Sequence, residues 1–240
     1  LPKPNASELL KQPKLKNVVW KKLAVKPMRL PLPKLPTPLP KKLPQNKPRA
    51  PGMDAFSEDF RAGLHDLMRW RRDVRRFRTD PLDEALVQTC LDSFTLAPSV
   101  GLSEPWRIIR VQSDTARQAA LENFETANAR ALAGYDGEKA ALYAGLKLSG
   151  MSEAPEQLAI YCDESTGTMP EMRRYSVVGG INYLWLTARA HGLGLGWVSV
   201  LDPARLNRDL AVPRDWSLVA YLCMGWPEDN SLTPELETKG

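Results

Sequence analysis

The chain of 240 residues is 43% apolar and carries 33 Lys and Arg, 28 Asp and Glu, 2 His and 3 Cys, which suffices for a sizeable core in one or two domains. No apolar run approaches the ~20 residues of a membrane-spanning helix. Cys90, Cys162 and Cys223 are spaced too widely for a disulfide framework or a CxxC knuckle, and His65 and His191 leave no histidine-based metal cluster and no triad.

The three cysteines therefore read as buried thiols in a reducing compartment, and the expected location is cytoplasmic. The formal charge of +5 conceals two different polymers. Residues 1–52 hold 11 Lys, 2 Arg and a single acid, Glu8, with 12 of the 21 prolines. Residues 53–240 hold the other 20 bases against 27 acids and are net acidic. The stretch from Leu30 to Pro44, LPLPKLPTPLPKKLP, cannot sustain a helix, because proline removes donors and clashes with the preceding turn. Residues 1–52 are thus a Pro/Lys-rich, disordered extension with polyproline II character, and Met53 opens the ordinary-looking sequence. An acidic partner or nucleic acid is the functional reading of its charge. An upstream translated segment is the plainer reading, and nucleic acid is not the expected partner.

From Ser57 the pattern turns helical, with Phe60, Leu64, Leu67 and Met68 on one face and Glu58-Asp59 at an acidic start. A second helix is predicted from about Pro81 to Phe94, broken at Ala97-Pro98-Ser99-Val100-Gly101. Trp106 to Val111 reads as a strand. Residues 114–148 read as two helices broken near Gly134 to Gly137, and Gln157 to Cys162 as a short buried strand. Val177 to Ala190 is apolar on nearly every side and should be a central helix, ended by Gly192. Gly196 to Val200 is a predicted strand, Pro203 to Leu210 a short helix, and Leu218 to Trp226 a strand covered on both faces. Helices outnumber strands without strict alternation, which argues for α+β rather than a doubly wound sheet.

The densest chemical signal is Arg69-Trp70-Arg71-Arg72-Asp73-Val74-Arg75-Arg76-Phe77. If the first helix continues, Arg71 and Arg75 share the face of Phe60, Leu64 and Leu67 and point inward, where guanidinium groups need an anion such as phosphate. Cations favourably placed at a helix C-terminus are the alternative, and Asp73 alone would be an ordinary salt-bridge partner. Gly192-Leu193-Gly194-Leu195-Gly196-Trp197 follows a helix and precedes a strand, the reverse of the dinucleotide-loop context, so a Rossmann reading fails. Ser176 and Asn182 are polar groups at an apolar helix and need partners, a ligand or a neighbouring carbonyl.

Together RRDVRRF (Arg71 to Phe77), APSVG with PW (Ala97 to Gly101, Pro105-Trp106), YSVVGGINYLWLTARAHGLGLGW (Tyr175 to Trp197) and the closing apolar strand resemble the flavin-binding nitroreductase family. Within it they are most similar to the 5,6-dimethylbenzimidazole synthases, or flavin destructases. The resemblance covers roughly Phe56 to Gly240 and none of the tail. Asp73 is the specific pointer, since ordinary nitroreductases have Ser or Thr between the arginines. LKLSG (Leu146 to Gly150) and YSVV (Tyr175 to Val178) also resemble that subgroup.

The resemblance implies an α+β fold with a mixed central sheet flanked by helices, in a homodimer with two FMN sites at the subunit interface. It implies that reduced FMN is the substrate, that O2 is the co-substrate, and that no metal takes part. Dimethylbenzimidazole, the lower ligand of cobalamin, leaves with erythrose 4-phosphate as by-product. Carried over by motif, Arg71, Arg72 and Arg75 hold the phosphate-ribityl side of FMN, with Val74 in the same segment. Asp73 sits beside the isoalloxazine for proton transfer, partly shielded from water and not paired bidentately with an arginine. Ser176 hydrogen-bonds the flavin or the oxygenated species, and Ser99, Gly101 and Leu148 line the pocket. No nicotinamide signature is found, so a separate NAD(P)H-flavin reductase supplies electrons. The rival readings are a generic FMN-dependent NAD(P)H nitroreductase or quinone reductase and a non-catalytic flavin-binding scaffold.

Overall fold

A computed structural model describes residues 55–133, 150–165 and 169–229. The Pro/Lys-rich extension, Leu148 and the expected helix beyond Gly134 lie outside the described residues. Helix α1 (Glu58–Trp70) opens at Ser57, whose hydroxyl accepts from the Phe60 amide at 3.3 Å, with Glu58 and Asp59 in the first turn. It stops at Trp70, and Arg71 turns to extended backbone (φ −67°, ψ 125°). This overturns the expectation that a helical turn aligns Arg71 with Arg75. Two like charges four residues apart weaken a helix, and the segment's backbone instead pairs with the sheet, where the Val74 amide donates to Leu195 O at 2.8 Å. The expected inward seam differs as well. Phe60, Leu64 and Met68 are 50%, 38% and 51% exposed, so this apolar face has no cover among the described residues.

Helix α2 (Glu84–Asp92), capped by the Asp83 carboxylate, runs into a 3-10 turn (Ser93–Leu96). A second 3-10 turn (Val100–Leu102) leads into β1 (Trp106–Arg110). Then follow α3 (Asp114–Leu132), the single turn α4 (Gly150–Glu153), β2 (Glu156–Asp163), α5 (Pro170–Ala190), β3 (Gly194–Val198), α6 (Pro203–Asp209) and β4 (Trp216–Gly225). Gly192, at φ +83°, supplies the left-handed turn that closes α5.

The strands lie in the order β1-β2-β4-β3, and every neighbouring pair is antiparallel. The mixed sheet expected from the sequence is therefore corrected. Among the described residues the parallel pairing is the isolated bridge of Asp73 with Leu195; β2 and β3 also run in the same direction, but β4 lies between them and pairs antiparallel with both. Alternate residues of β2 and β4 feed two cores. Leu158, Ile160, Cys162, Ala220, Leu222 and Met224 meet α2 and α5, whereas Ala159, Tyr161, Tyr221 and Cys223 meet α3 and α6. All eight residues of β2 are buried, as a strand covered on both faces requires. The three cysteines are buried and unlinked. No helix among the described residues is long and apolar enough to cross a membrane.

Candidate active site

Strand β3 is an edge of the four-stranded sheet. The extended arginine segment lies along it, held by the Val74 amide on Leu195 O (2.8 Å) and by the Trp197 amide, which donates to Asp73 Oδ1 at 2.7 Å. The glycines of β3 make this approach possible. A Cβ at Gly196 would stand 2.1 Å from the Val74 carbonyl oxygen, and one at Gly194 would stand 2.6 Å from a Val74 methyl. Two glycines at strand period thus mark where another backbone lies flush against the sheet. The GLGLGW sequence that fails as a dinucleotide loop is the bed of the arginine segment.

Beside this junction lies an open cleft whose empty space, solvent at its mouth included, is about 710 Å3. It is lined by Asp73 to Arg75, by Gly196 to Val200, and by Phe124, Gly150, Met151 and Cys223. The side chain of Asp73 is 41% exposed, and its Oδ2 lies 3.6 Å from Arg75 Nε. One carboxylate oxygen is thus oriented by a backbone amide while the other faces a guanidinium. The Cys223 thiol at the back of the cleft lies 3.9 Å from the Met151 sulfur, and burial pushes it up to about 12, so it stays protonated at neutral pH. Arg71 stacks over the Trp185 ring, 4.8 Å from guanidinium carbon to ring centroid. Among the described residues no group of three or more His, Cys, Asp or Glu side chains could hold a metal ion.

The lining combines apolar walls with one guanidinium and one carboxylate. Val74, Phe124, Met151 and Val198 supply apolar walls, and Arg75 supplies the fork that phosphate accepts. Asp73, Val74 and Arg75 are therefore brought together. Ser176, Ser99 and Gly101 form a separate group away from the lining residues. Ser176 Oγ accepts from the Val100 amide (3.0 Å) and donates to Met172 O (2.9 Å), and Ser99 Oγ accepts from the Glu104 amide (3.1 Å). These bonds fix a loop in which Gly101, Leu102 and Glu104 all have positive φ. Asn182 is exposed on α5. Sequence reasoning missed Trp197, Met151, Phe124 and Cys223. Only Trp197 left a signal, as the residue after a strand-spaced glycine pair.

Comparison with known proteins places this fold in a family. The profile of the Nitroreductase family matches residues 68–226. A 5,6-dimethylbenzimidazole synthase of Rhodospirillum rubrum is 52% identical over 193 residues, covering 77% of this chain and 92% of that protein. A second, from Rhodobacter capsulatus, is 46% identical and covers 77% of this chain and 93% of its own. Among solved structures, oxidized iodotyrosine deiodinase bound to FMN and 3-iodo-L-tyrosine superposes with a TM-score of 0.62 at 23% identity, covering 69% of this chain and 90% of that one. The cleft beside β3 is thus built on a flavoprotein fold, and the chain belongs to the nitroreductase family.

Proposed function

We infer that this chain is an oxidoreductase that fragments reduced FMN with O2 to 5,6-dimethylbenzimidazole, the lower ligand of cobalamin, releasing erythrose 4-phosphate. One observation of the structure carries the reading: a carboxylate, Asp73, stands at the mouth of the cleft where its Oδ1 is held at 2.7 Å by the Trp197 amide. The 52% identity to a protein of that name supports it.

When bound, reduced FMN supplies both the electrons that O2 accepts and the atoms of the product. The protein's task is to hold it and to move protons. Arg71, Arg72 and Arg75 hold the phosphate and ribityl chain, and the apolar walls exclude water from the ring system. Asp73 takes up and returns a proton at Oδ2, while the Trp197 amide keeps Oδ1 in place. Ser176 turns its hydroxyl from the Met172 carbonyl toward the ligand, and Ser99 and Gly101 close the pocket. Ser176, Ser99 and Gly101 reach the cleft of a second copy, so the working unit is a homodimer. The exposed faces of α1 (Phe60, Leu64, Met68) and α5 (Met172, Tyr175, Val178) support that assembly. A separate NAD(P)H-flavin reductase delivers the reduced flavin in the cytoplasm, and turnover does not depend on residues 1–52.

The test is incubation of the protein with FMN, NAD(P)H and an independent flavin reductase in air, followed by chromatography for dimethylbenzimidazole. The wild-type chain is expected to form it. Asp73→Asn keeps an oxygen for the Trp197 amide, so FMN still binds while product formation is abolished. Wild-type turnover in Asp73→Asn would overturn the role of the carboxylate. Flavin-dependent reduction of quinones without dimethylbenzimidazole would replace the whole reading by a generic reductase.

A further inference from the structure

Trp185 lies on α5, in the core and outside the cleft lining, and its indole makes two contacts with the arginine segment and one with β3. Its Nε1 donates to the Arg72 carbonyl at 3.0 Å. Its ring carries the Arg71 guanidinium at 4.8 Å. On a further side it packs against Trp197, with ring centroids 6.4 Å apart and planes at 41°.

The Arg72 carbonyl belongs to the peptide plane that begins Asp73. Trp197 in turn supplies the amide that holds Asp73 Oδ1. One buried side chain therefore fixes the peptide preceding the carboxylate and supports the residue that orients it. A core position on an apolar helix needs only volume, which Leu or Phe would provide. An indole N–H in such a place is a liability unless it meets an acceptor, and here the acceptor is the backbone of the site.

We propose that Trp185 is a positioning residue for Asp73, acting through the Arg72 carbonyl and Trp197. The inference rests on the reading of Asp73 as the proton-transfer group. The anchoring itself can be read without turnover. Trp185→Phe keeps an aromatic face for Arg71 and Trp197 and removes the donor. Benzothienylalanine at position 185, introduced through an amber codon, keeps the bicyclic shape and also lacks the N–H, so folding is preserved if the phenylalanine variant fails. Ile181→Val, a buried change one turn earlier on the same helix that leaves the indole N–H in place, is the control.

Amide hydrogen exchange at Val74 and Trp197 is expected to accelerate about tenfold in both Trp185 variants, the effect of losing one buried hydrogen bond. Exchange in β2 and β4 should stay as in the wild type. In the turnover assay kcat falls about tenfold or more, since small misplacements of a reacting group are costly. FMN affinity, measured by quenching of flavin fluorescence, changes less than about threefold, because the stacking surface under Arg71 is retained. Unchanged exchange at Val74 and Trp197 overturns the proposal, as does faster exchange spread evenly over the sheet, which would mark a packing role alone. Faster local exchange with unchanged kcat overturns the link to Asp73. Absence of product from the wild-type protein sinks the functional reading instead, and the exchange result still decides whether Trp185 holds the segment.

Discussion

Gly196→Ala tests whether the flush seating of the arginine segment on β3 builds the site. The added methyl would stand 2.1 Å from the Val74 carbonyl oxygen and 3.3 Å from its carbon, both backbone atoms of a segment held at neighbouring positions. No side-chain rotation can relieve that clash, so the segment must lift. Lifting removes the bond from the Val74 amide to Leu195 O and strains that from the Trp197 amide to Asp73. The neutral bond contributes about 1 kcal/mol and the bond to the half-exposed carboxylate about 1 kcal/mol, and overpacking adds roughly 1–3 kcal/mol. The sum, about 3–5 kcal/mol, corresponds to a fall in Tm on the order of 10 °C for a chain of this size. Calorimetry and FMN titration on the same sample read both consequences, with weaker binding expected because Arg75 and Asp73 move together. Gly63→Ala in α1, where nothing lies within 4 Å of the new methyl, should instead stabilise by about 0.5–1 kcal/mol. Equal Tm and equal FMN affinity in Gly196→Ala would refute the seating argument.

Two further predictions concern stability. Burial pushes the Cys223 thiol up to about 12 and the Cys90 thiol to about 11. Both folded values exceed the ordinary thiol value, so stability is undiminished below about pH 8.5 and falls as pH rises toward those values, by about 1.4 kcal/mol per unit for each thiol. Urea midpoints should decline above about pH 9, with a shallower slope in Cys223→Ala, and identical slopes in the two proteins would show that the thiol is not withdrawn from water. Ala211 follows α6 at φ +52°, where the Val212 amide returns to Asn207 O at 2.9 Å. Ala211→Gly relieves that left-handed conformation and should stabilise by about 0.5–1 kcal/mol in chemical denaturation, an expectation that fails if the midpoint drops.

Local signals were enough for most of the fold. The Ser57 cap, the Gly192 stop, the branched strands and the apolar run of β4 appear within two residues or so of their expected places. The arginine segment was misread as helix because spacing reports only what a stretch would do alone. Its backbone is recruited by Leu195, more than a hundred residues away, and that pairing outweighs local preference. The same limit hid Phe124, Met151 and Cys223, which are ordinary core letters until the cleft gathers them. The inward face expected of α1 was wrong for a related reason, since amphipathic spacing says that a face wants cover but not what provides it.

An unprotected outer strand is a template for unwanted association, and proteins blunt such borders with charge or with a covering segment. In this molecule both duties fall to one short run of chain, whose Asp73, Val74 and Arg75 line the cleft while its amide and carboxylate seal the rim of β3. Variation that reshapes the cleft at Asp73 to Arg75 therefore also alters how well the molecule stays dispersed. Screens for altered specificity at these positions will recover insoluble protein more often than changes elsewhere on the surface would produce.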